Sequence, residues 1–261
     1  MATTQTLKTV IRRVFEFALS TATFPFGVSR TVNGTRYRLD SRTRQSFTAA
    51  YDPGATQVLA SGVPKGGTCW NVGANVGVHT LQLASLVGST GRVLAFEPNP
   101  NAAKLLRRNI HLNGFGDRVQ VVESAVGQKS GEIDFFVEGA SPMGRGGKPN
   151  PGLAQTHRIR VPVTTLDELV RENASRPDCI VVDIEGWEIG ALMGSPRLLD
   201  SDPLPLLIVE LHPEAWPWSG NSKEELQAVL KKHRLSLVAL SGQKDVFEDL
   251  GQVLITRTKA S

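Results

Sequence analysis

The chain has 261 residues, 40% of them hydrophobic and 21% charged, with a net charge of +4. A chain of this length buries roughly three quarters of its unfolded surface, enough for one substantial domain with an appendage, so no second core is required. The basic excess lies mostly before Gly62 and is scattered rather than interleaved with aromatics, which describes a solvated basic face better than a nucleic-acid footprint.

Met1 to Ser20 carries Lys8, Arg12, Arg13 and Glu16 among apolar positions. Those charges interrupt any signal-peptide core and give an amphipathic helix, open to loose membrane attachment. No other stretch approaches a membrane span. A cytoplasmic protein is therefore expected. Val32 to Leu39 alternates as a strand of a small cap. Thr68 to Val72 reads as the first core strand and Val78 to Val87 as its helix. Arg92 to Phe96 is the second strand, followed by a helix from about Asn101 to His111, with Pro98 and Pro100 at its approach and Asn113-Gly114 at its end. Val119 to Val122 is a third strand. Gly131 to Val137 and His157 to Val163 read as an added antiparallel pair. Thr165 to Val170 begins a helix, with Thr165 as cap and Glu168 three positions on. Cys179 to Ile184 and Leu204 to Leu211 are fourth and fifth core strands, both nearly continuous apolar runs. A helix from Lys223 to Lys232 and strands at Leu235 to Leu240 and Gly251 to Thr256 complete the chain. Cys69 and Cys179, both in apolar strands, read as reduced core residues.

Alternating strands and helices imply a mostly parallel sheet covered on both faces, with a ligand crevice beyond the carboxyl ends of strands one, two, four and five. The turn N-V-G-A-N-V-G after the first strand offers Gly73 and Gly77 for close backbone approach to a ligand. It lacks the lysine and following serine or threonine of a phosphate-cradling NTPase loop, and G-A-N-V-G is not the G-x-G-x-x-G of a dinucleotide dehydrogenase. Glu97, at the end of the second strand, can accept from two neighbouring ribose hydroxyls. An adenosyl nucleoside without phosphate fits this pair; an NAD-dependent oxidoreductase is the weaker alternative.

D-I-E-G-W-E places Asp183 and Glu185 at the end of a buried strand, where unpaired carboxylates are costly unless they emerge at a site. Glu210 and His212 share a face of the next strand. If those strands are neighbours, Asp183, Glu185, Glu210 and His212 converge around one acceptor. Glu188 reads as a surface residue, and His79 as helix packing or a cofactor-side wall. Asp183, Glu210 and His212 would also suit magnesium or manganese, but no compact metal motif is present, and a divalent metal is the less favoured option. The loop from Gly139 to Thr156, rich in glycine and proline, reads as a mobile solubilising segment or a lid. Arg145, Lys148, Arg158 and Arg160 in and beside it could attract an anionic acceptor. Trp187, Trp216 and Trp218 flank the crevice, with packing the expected role for at least two of them.

The ordered set N-V-G-A-N-V-G-V-H-T, A-F-E-P-N-P, L-R-R-N-I-H-L-N-G, V-P-V-T-T-L-D-E-L, V-V-D-I-E-G-W-E and I-V-E-L-H-P resembles the FkbM-type family of S-adenosylmethionine-dependent methyltransferases, over about Thr68 to Pro213. The resemblance implies an α/β, class I methyltransferase (Rossmann-like) fold, a mostly parallel seven-stranded sheet with helices on both faces, for a methyltransferase domain over 62–261; the residue pattern adds a small N-terminal cap over residues 1–61 and an inserted β pair at about 131–163. It implies S-adenosylmethionine as cofactor and O-methylation of a sugar or other small natural product. Gly73, Asn75 and Gly77 would hold the cofactor's amino-acid end and Glu97 its ribose, while Asp183 and Glu185 would sit beside the methyl group. Asn71, Thr80, Pro98, Glu123 and Ala125 complete the expected cofactor set. Asn71 stands where the family usually has aspartate, and Val181 where it commonly has lysine. These departures leave a silent S-adenosylmethionine-binding domain as the alternative from another functional class.

Overall fold

The structure, a computed structural model, describes residues 18–137, 144–146, 156–172 and 176–258. Of the amphipathic N-terminal helix, only residues from 18 onward lie within the described part. Most of the loop 139–156, Lys148 included, lies outside it.

After a helical stretch that ends at residue 23, the first strands form a hairpin, β1 (Val28–Val32) and β2 (Thr35–Leu39), where the sequence suggests a single strand. Its turn is Asn33-Gly34, with φ of 48° and 80° at the two residues. This is the dipeptide that two-residue hairpin loops favour, because both positions need positive φ. Helix α1 (Pro53–Gly62) follows, an element the sequence pattern does not announce. The central sheet then begins with β3 (Thr68–Val72), α2 (Val78–Val87), β4 (Arg92–Phe96), α3 (Pro100–Leu112) and β5 (Val119–Val122), within a residue or so of expectation.

An inserted four-stranded sheet comes next: β6 (Ala125–Val126), β7 (Gly131–Val137), β8 (Gly144–Gly146) and β9 (His157–Thr164), in the order β6-β9-β7-β8. The expected pair β7 and β9 is antiparallel throughout. Two short flanking strands, too brief for any period to register, enlarge it. Thr165 caps α4 (Leu166–Glu172) by accepting from the Glu168 backbone N–H at 3.1 Å. The Glu168 carboxylate accepts from Ser130.

Strands β10 (Cys179–Val182) and β11 (Leu206–Leu211), helices α5 (Glu188–Met193) and α6 (Lys223–Lys232), and strands β12 (Leu235–Ala239) and β13 (Gly251–Arg257) complete the fold. The seven strands run β12-β13-β11-β10-β3-β4-β5, and only β13 is antiparallel to its neighbours. Strand order reverses between β3 and β10, the fourth-strand and first-strand pair of the sequence reading. That reversal opens a crevice at their carboxyl ends.

Period-two alternation in these buried strands feeds two apolar layers. Trp70, Val72, Ile180, Val182, Leu207 and Val209 pack on one face. Cys69, Val181 and Ile208 pack on the other, with Leu59 of α1 and Leu83 of α2. Cys69 and Cys179 are register partners on β3 and β10, both buried and free. The hairpin is anchored by Tyr37 and Leu39, which join Leu81 and Leu106 in one cluster.

Candidate cofactor and acceptor site

The glycine turn is shaped by the protein's own packing. Gly73 adopts φ of 81°, and a Cβ there would lie 1.7 Å from the Asp183 carbonyl oxygen. At Gly77 a Cβ would meet Leu106 Cδ1 at 2.5 Å. The missing Cβ atoms thus let the turn lie against the end of β10 and against α3. Gly73 still lines the crevice with its backbone. Asn71, buried on β3, accepts from Thr80 Oγ1 at 2.7 Å, tying the strand end to α2.

Glu97 lies at the end of β4, only 6% exposed. Its Oε2 accepts from the Asn75 backbone N–H at 2.6 Å and its Oε1 from that of Asn99 at 2.8 Å. The carboxylate thus ties the glycine turn to the approach of α3. Burial pushes its pKa up to about 7, against the pull of those two backbone donors. Each carboxylate oxygen retains an acceptor position, and Glu97 borders the main cleft.

That cleft, about 780 Å³ including its open mouth, is lined by Gly73, Asn75, Glu97, Pro98, Ala125, Asp183 and Glu185 among the expected residues. The inserted sheet closes one side through Ile133, Phe135, Gly144, Gly146 and Val163, and Trp187 stands against Gly146. A second pocket lies on the α2 side of the turn, where Asn71, Gly73, Asn75, Gly77 and Asp183 meet Ser46, Tyr51 and His79. Asp183 and the turn form the shared boundary. Of the expected cofactor set, the structure leaves two outside both cavities. Thr80 is buried behind the turn. Glu123 faces outward and binds Arg107 at 2.7 Å.

Strands β10 and β11 are parallel neighbours, the condition for convergence of their terminal groups. His212 Nε2 lies 3.8 Å from Asp183 Oδ1 and 3.6 Å from Glu185 Oε2. Glu210 acts on them through its charge. Burial first, and then the Glu210 charge, raise the Asp183 pKa well above the carboxylate range, with His212 opposing. Glu210 is itself raised by burial. Burial pulls His212 down, but its bond to Glu188 and the charges of Glu188, Asp183 and Glu185 outweigh this and carry it up to about 9.

Glu188 corrects the sequence reading most sharply. It is fully buried rather than superficial. Its Oε1 accepts from the Gly186 backbone N–H at 2.7 Å and meets His212 Nδ1 at 3.0 Å, while Oε2 accepts from Trp216 Nε1 at 3.1 Å. Three partners satisfy a carboxylate that burial alone would penalise. Trp216 is accordingly a buried donor, Trp187 a cleft wall, and Trp218 lies exposed.

Other residues enter without a sequence signal of their own. Asp52 Oδ2 accepts from Gln252 Nε2 at 2.6 Å and pairs with His79 Nε2 at 3.1 Å. Tyr51 packs edge-on against His79, with ring centroids 5.3 Å apart. Burial, then the charges of Asp52, Asp183, Glu210 and Glu185, push the Tyr51 hydroxyl up, so it remains a protonated donor. His79 is thus both helix packing and pocket wall. Arg158 and Arg160 lie 3.5 Å from Asp134 and 3.6 Å from Glu132 across the inserted sheet, so acids on β7 offset their charge.

The sheet order and a cleft between a glycine turn and an acidic strand end define an S-adenosylmethionine-dependent methyltransferase of class I architecture. The chain belongs to the family of the methyltransferase FkbM domain, whose model matches residues 71–235. No curated protein sequence matches it. Solved structures similar in fold include an rRNA methylase from Streptococcus thermophilus, 12% identical over 78% of this chain and 95% of that one, with a TM-score of 0.46. A S-adenosylmethionine-dependent O-methyltransferase from Thermotoga maritima is 15% identical over 90% of this chain and 79% of its own, with a TM-score of 0.44. The O-methyltransferase from Bacillus cereus, in complex with S-adenosylhomocysteine, is 17% identical over 77% and 76%, with a TM-score of 0.40. None of these likenesses bears on the acceptor of this chain.

Proposed function

We propose that this methyltransferase transfers the methyl group to a hydroxyl of a small acceptor, a sugar or another hydroxylated natural product. Residues 62–261 carry that activity, with residues 1–61 as a cap. The adenosine part of the cofactor occupies the main cleft, its ribose hydroxyls donating to the free acceptor positions of Glu97, beside Pro98 and Ala125. Its amino-acid end crosses Gly73 and Asn75 toward the second pocket, where Tyr51 and Ser46 offer hydroxyl donors.

The observation that carries this reading is the position of Asp183 on the boundary of both cavities. Burial and the Glu210 charge raise the Asp183 carboxyl, so its ionised form is a stronger base than an ordinary carboxylate. In the reaction, the acceptor oxygen attacks the methyl carbon, the carbon–sulfur bond breaks with its electron pair leaving on sulfur, and the hydroxyl proton passes to Asp183. His212 and Glu185 hold the charge around that base. Alignment of two bound reactants supplies several kcal/mol, up to roughly 7–11 in ideal intramolecular cases.

The test is calorimetry with S-adenosylmethionine, then transfer of labelled methyl from it to a panel of neutral, carboxylated and phosphorylated sugars and phenols. Transfer to hydroxyl oxygen, lost in Asp183→Asn with cofactor affinity kept, is expected. Tight cofactor binding with no transfer to any hydroxyl would instead identify a silent binding domain.

A further inference from the structure

Among the described residues, Asp183, Glu185 and His212 form a group whose potential ligand atoms all lie within 4.8 Å of one another. We propose that these three side chains bind one divalent cation, with Mn²⁺ as the best chemical match. The His212 Nε2 separations of 3.8 and 3.6 Å from the two carboxylates exceed hydrogen-bond length. They match two donors sharing an ion, since ligands each about 2.1–2.2 Å from a metal stand roughly 3–4 Å apart across ordinary coordination angles.

Two further observations point the same way. Asp183 Oδ1, the oxygen aimed at His212, is sealed from solvent and has no hydrogen-bond partner. A buried carboxylate oxygen without a donor calls for a cation or a proton in the space it faces. His212 is also held as a metal-binding imidazole is held: Glu188 engages Nδ1 at 3.0 Å, fixing the ring so that Nε2 faces the carboxylates. Glu188 is in turn fixed by Gly186 and Trp216.

Two carboxylate oxygens with one imidazole nitrogen suit a first-row ion of intermediate hardness, and three protein ligands leave coordination positions open. Those positions lie beside the cleft that Asp183 and Glu185 line. Glu210, the residue the sequence would have put in a metal set, gives way to Glu185. The ion site is a property of the cluster and does not depend on which acceptor is methylated.

The experiment titrates Mn²⁺ into full-length protein freed of metal by chelation, following the electron paramagnetic resonance signal of the free ion. One equivalent per chain should be withdrawn. His212→Ala and Asp183→Asn should each abolish binding, Glu185→Gln should weaken it, and Glu188→Gln should weaken it about 10–100-fold. Circular dichroism reports the fold of each variant; if His212→Ala fails to fold, the exposed Glu185→Gln decides. Free Mn²⁺ left unbound at millimolar concentration, or binding unchanged in a folded His212→Ala or Glu185→Gln, overturns the proposal. Cofactor affinity, measured by calorimetry on the metal-free wild-type protein, reads the methyltransferase assignment without reference to the ion, so the ion site and the methyltransferase reading fail independently.

Discussion

Glu97→Gln separates two roles that the structure superimposes on one side chain. The carboxylate accepts from the backbone of Asn75 and of Asn99, and each oxygen has one further position free for a ribose hydroxyl. Glutamine keeps one acceptor oxygen and turns an NH₂ group toward the other backbone donor. One buried N–H is left unpaired, which costs about 1–3 kcal/mol of fold stability. The same substitution removes a charge-assisted contact to the cofactor, about 1.5–3 kcal/mol, or roughly 10–150-fold in Kd.

The pH dependence gives an independent handle on Glu97. Its folded pKa of about 7 lies above the ordinary 4.5. A carboxyl raised in this way favours folding while protonated: its contribution is complete below 4.5 and is lost as pH rises through about 7. The full difference amounts to about 3 kcal/mol. Denaturant unfolding of the cofactor-free protein between pH 4.5 and 7.5 should show that loss, and Glu97→Gln should flatten it. Calorimetry with S-adenosylhomocysteine then reads the second role. If the variant loses stability but keeps wild-type affinity, Glu97 is a clamp on the turn alone and the ribose assignment is wrong.

Asp183→Asn should lower methyl transfer by roughly 10²–10⁴-fold while leaving cofactor affinity within about threefold, as single-turnover kinetics and calorimetry will show; a drop confined to affinity would contradict its role as proton acceptor. Gly73→Ala should destabilise the fold by several kcal/mol or prevent folding, because its Cβ falls on the Asp183 carbonyl and its φ is positive; urea unfolding within about 0.5 kcal/mol of wild type would contradict the packing argument. Ser222→Ala removes a capping box in which Ser222 Oγ accepts from Glu225 N–H at 3.3 Å and Glu225 returns the bond to Ser222 N–H at 2.9 Å. It should cost about 1 kcal/mol by thermal melting with transfer activity retained.

The sequence by itself determined the strands of the central sheet and the helices over Val78–Val87, Pro100–Leu112 and Lys223–Lys232. Runs such as C-I-V-V and R-V-L-A-F are buried on both faces, and the caps Thr165 and Ser222 act within one helical turn, so their physics is local. It also determined that Glu97, Asp183 and Glu185 border one cleft, because the ends of parallel strands meet wherever strand order reverses. Tertiary structure alone decided the partners. Glu188 and Glu123 are both glutamates beside a strand end, yet one is enclosed by His212 and Trp216 and the other faces Arg107. Gly73 likewise lacks a Cβ where the Asp183 carbonyl, 110 positions later in the numbering, lies against it. Such distinctions depend on which distant segment supplies the facing atoms, and periodicity, which records only the side of an element a residue occupies, carries no information about that neighbour.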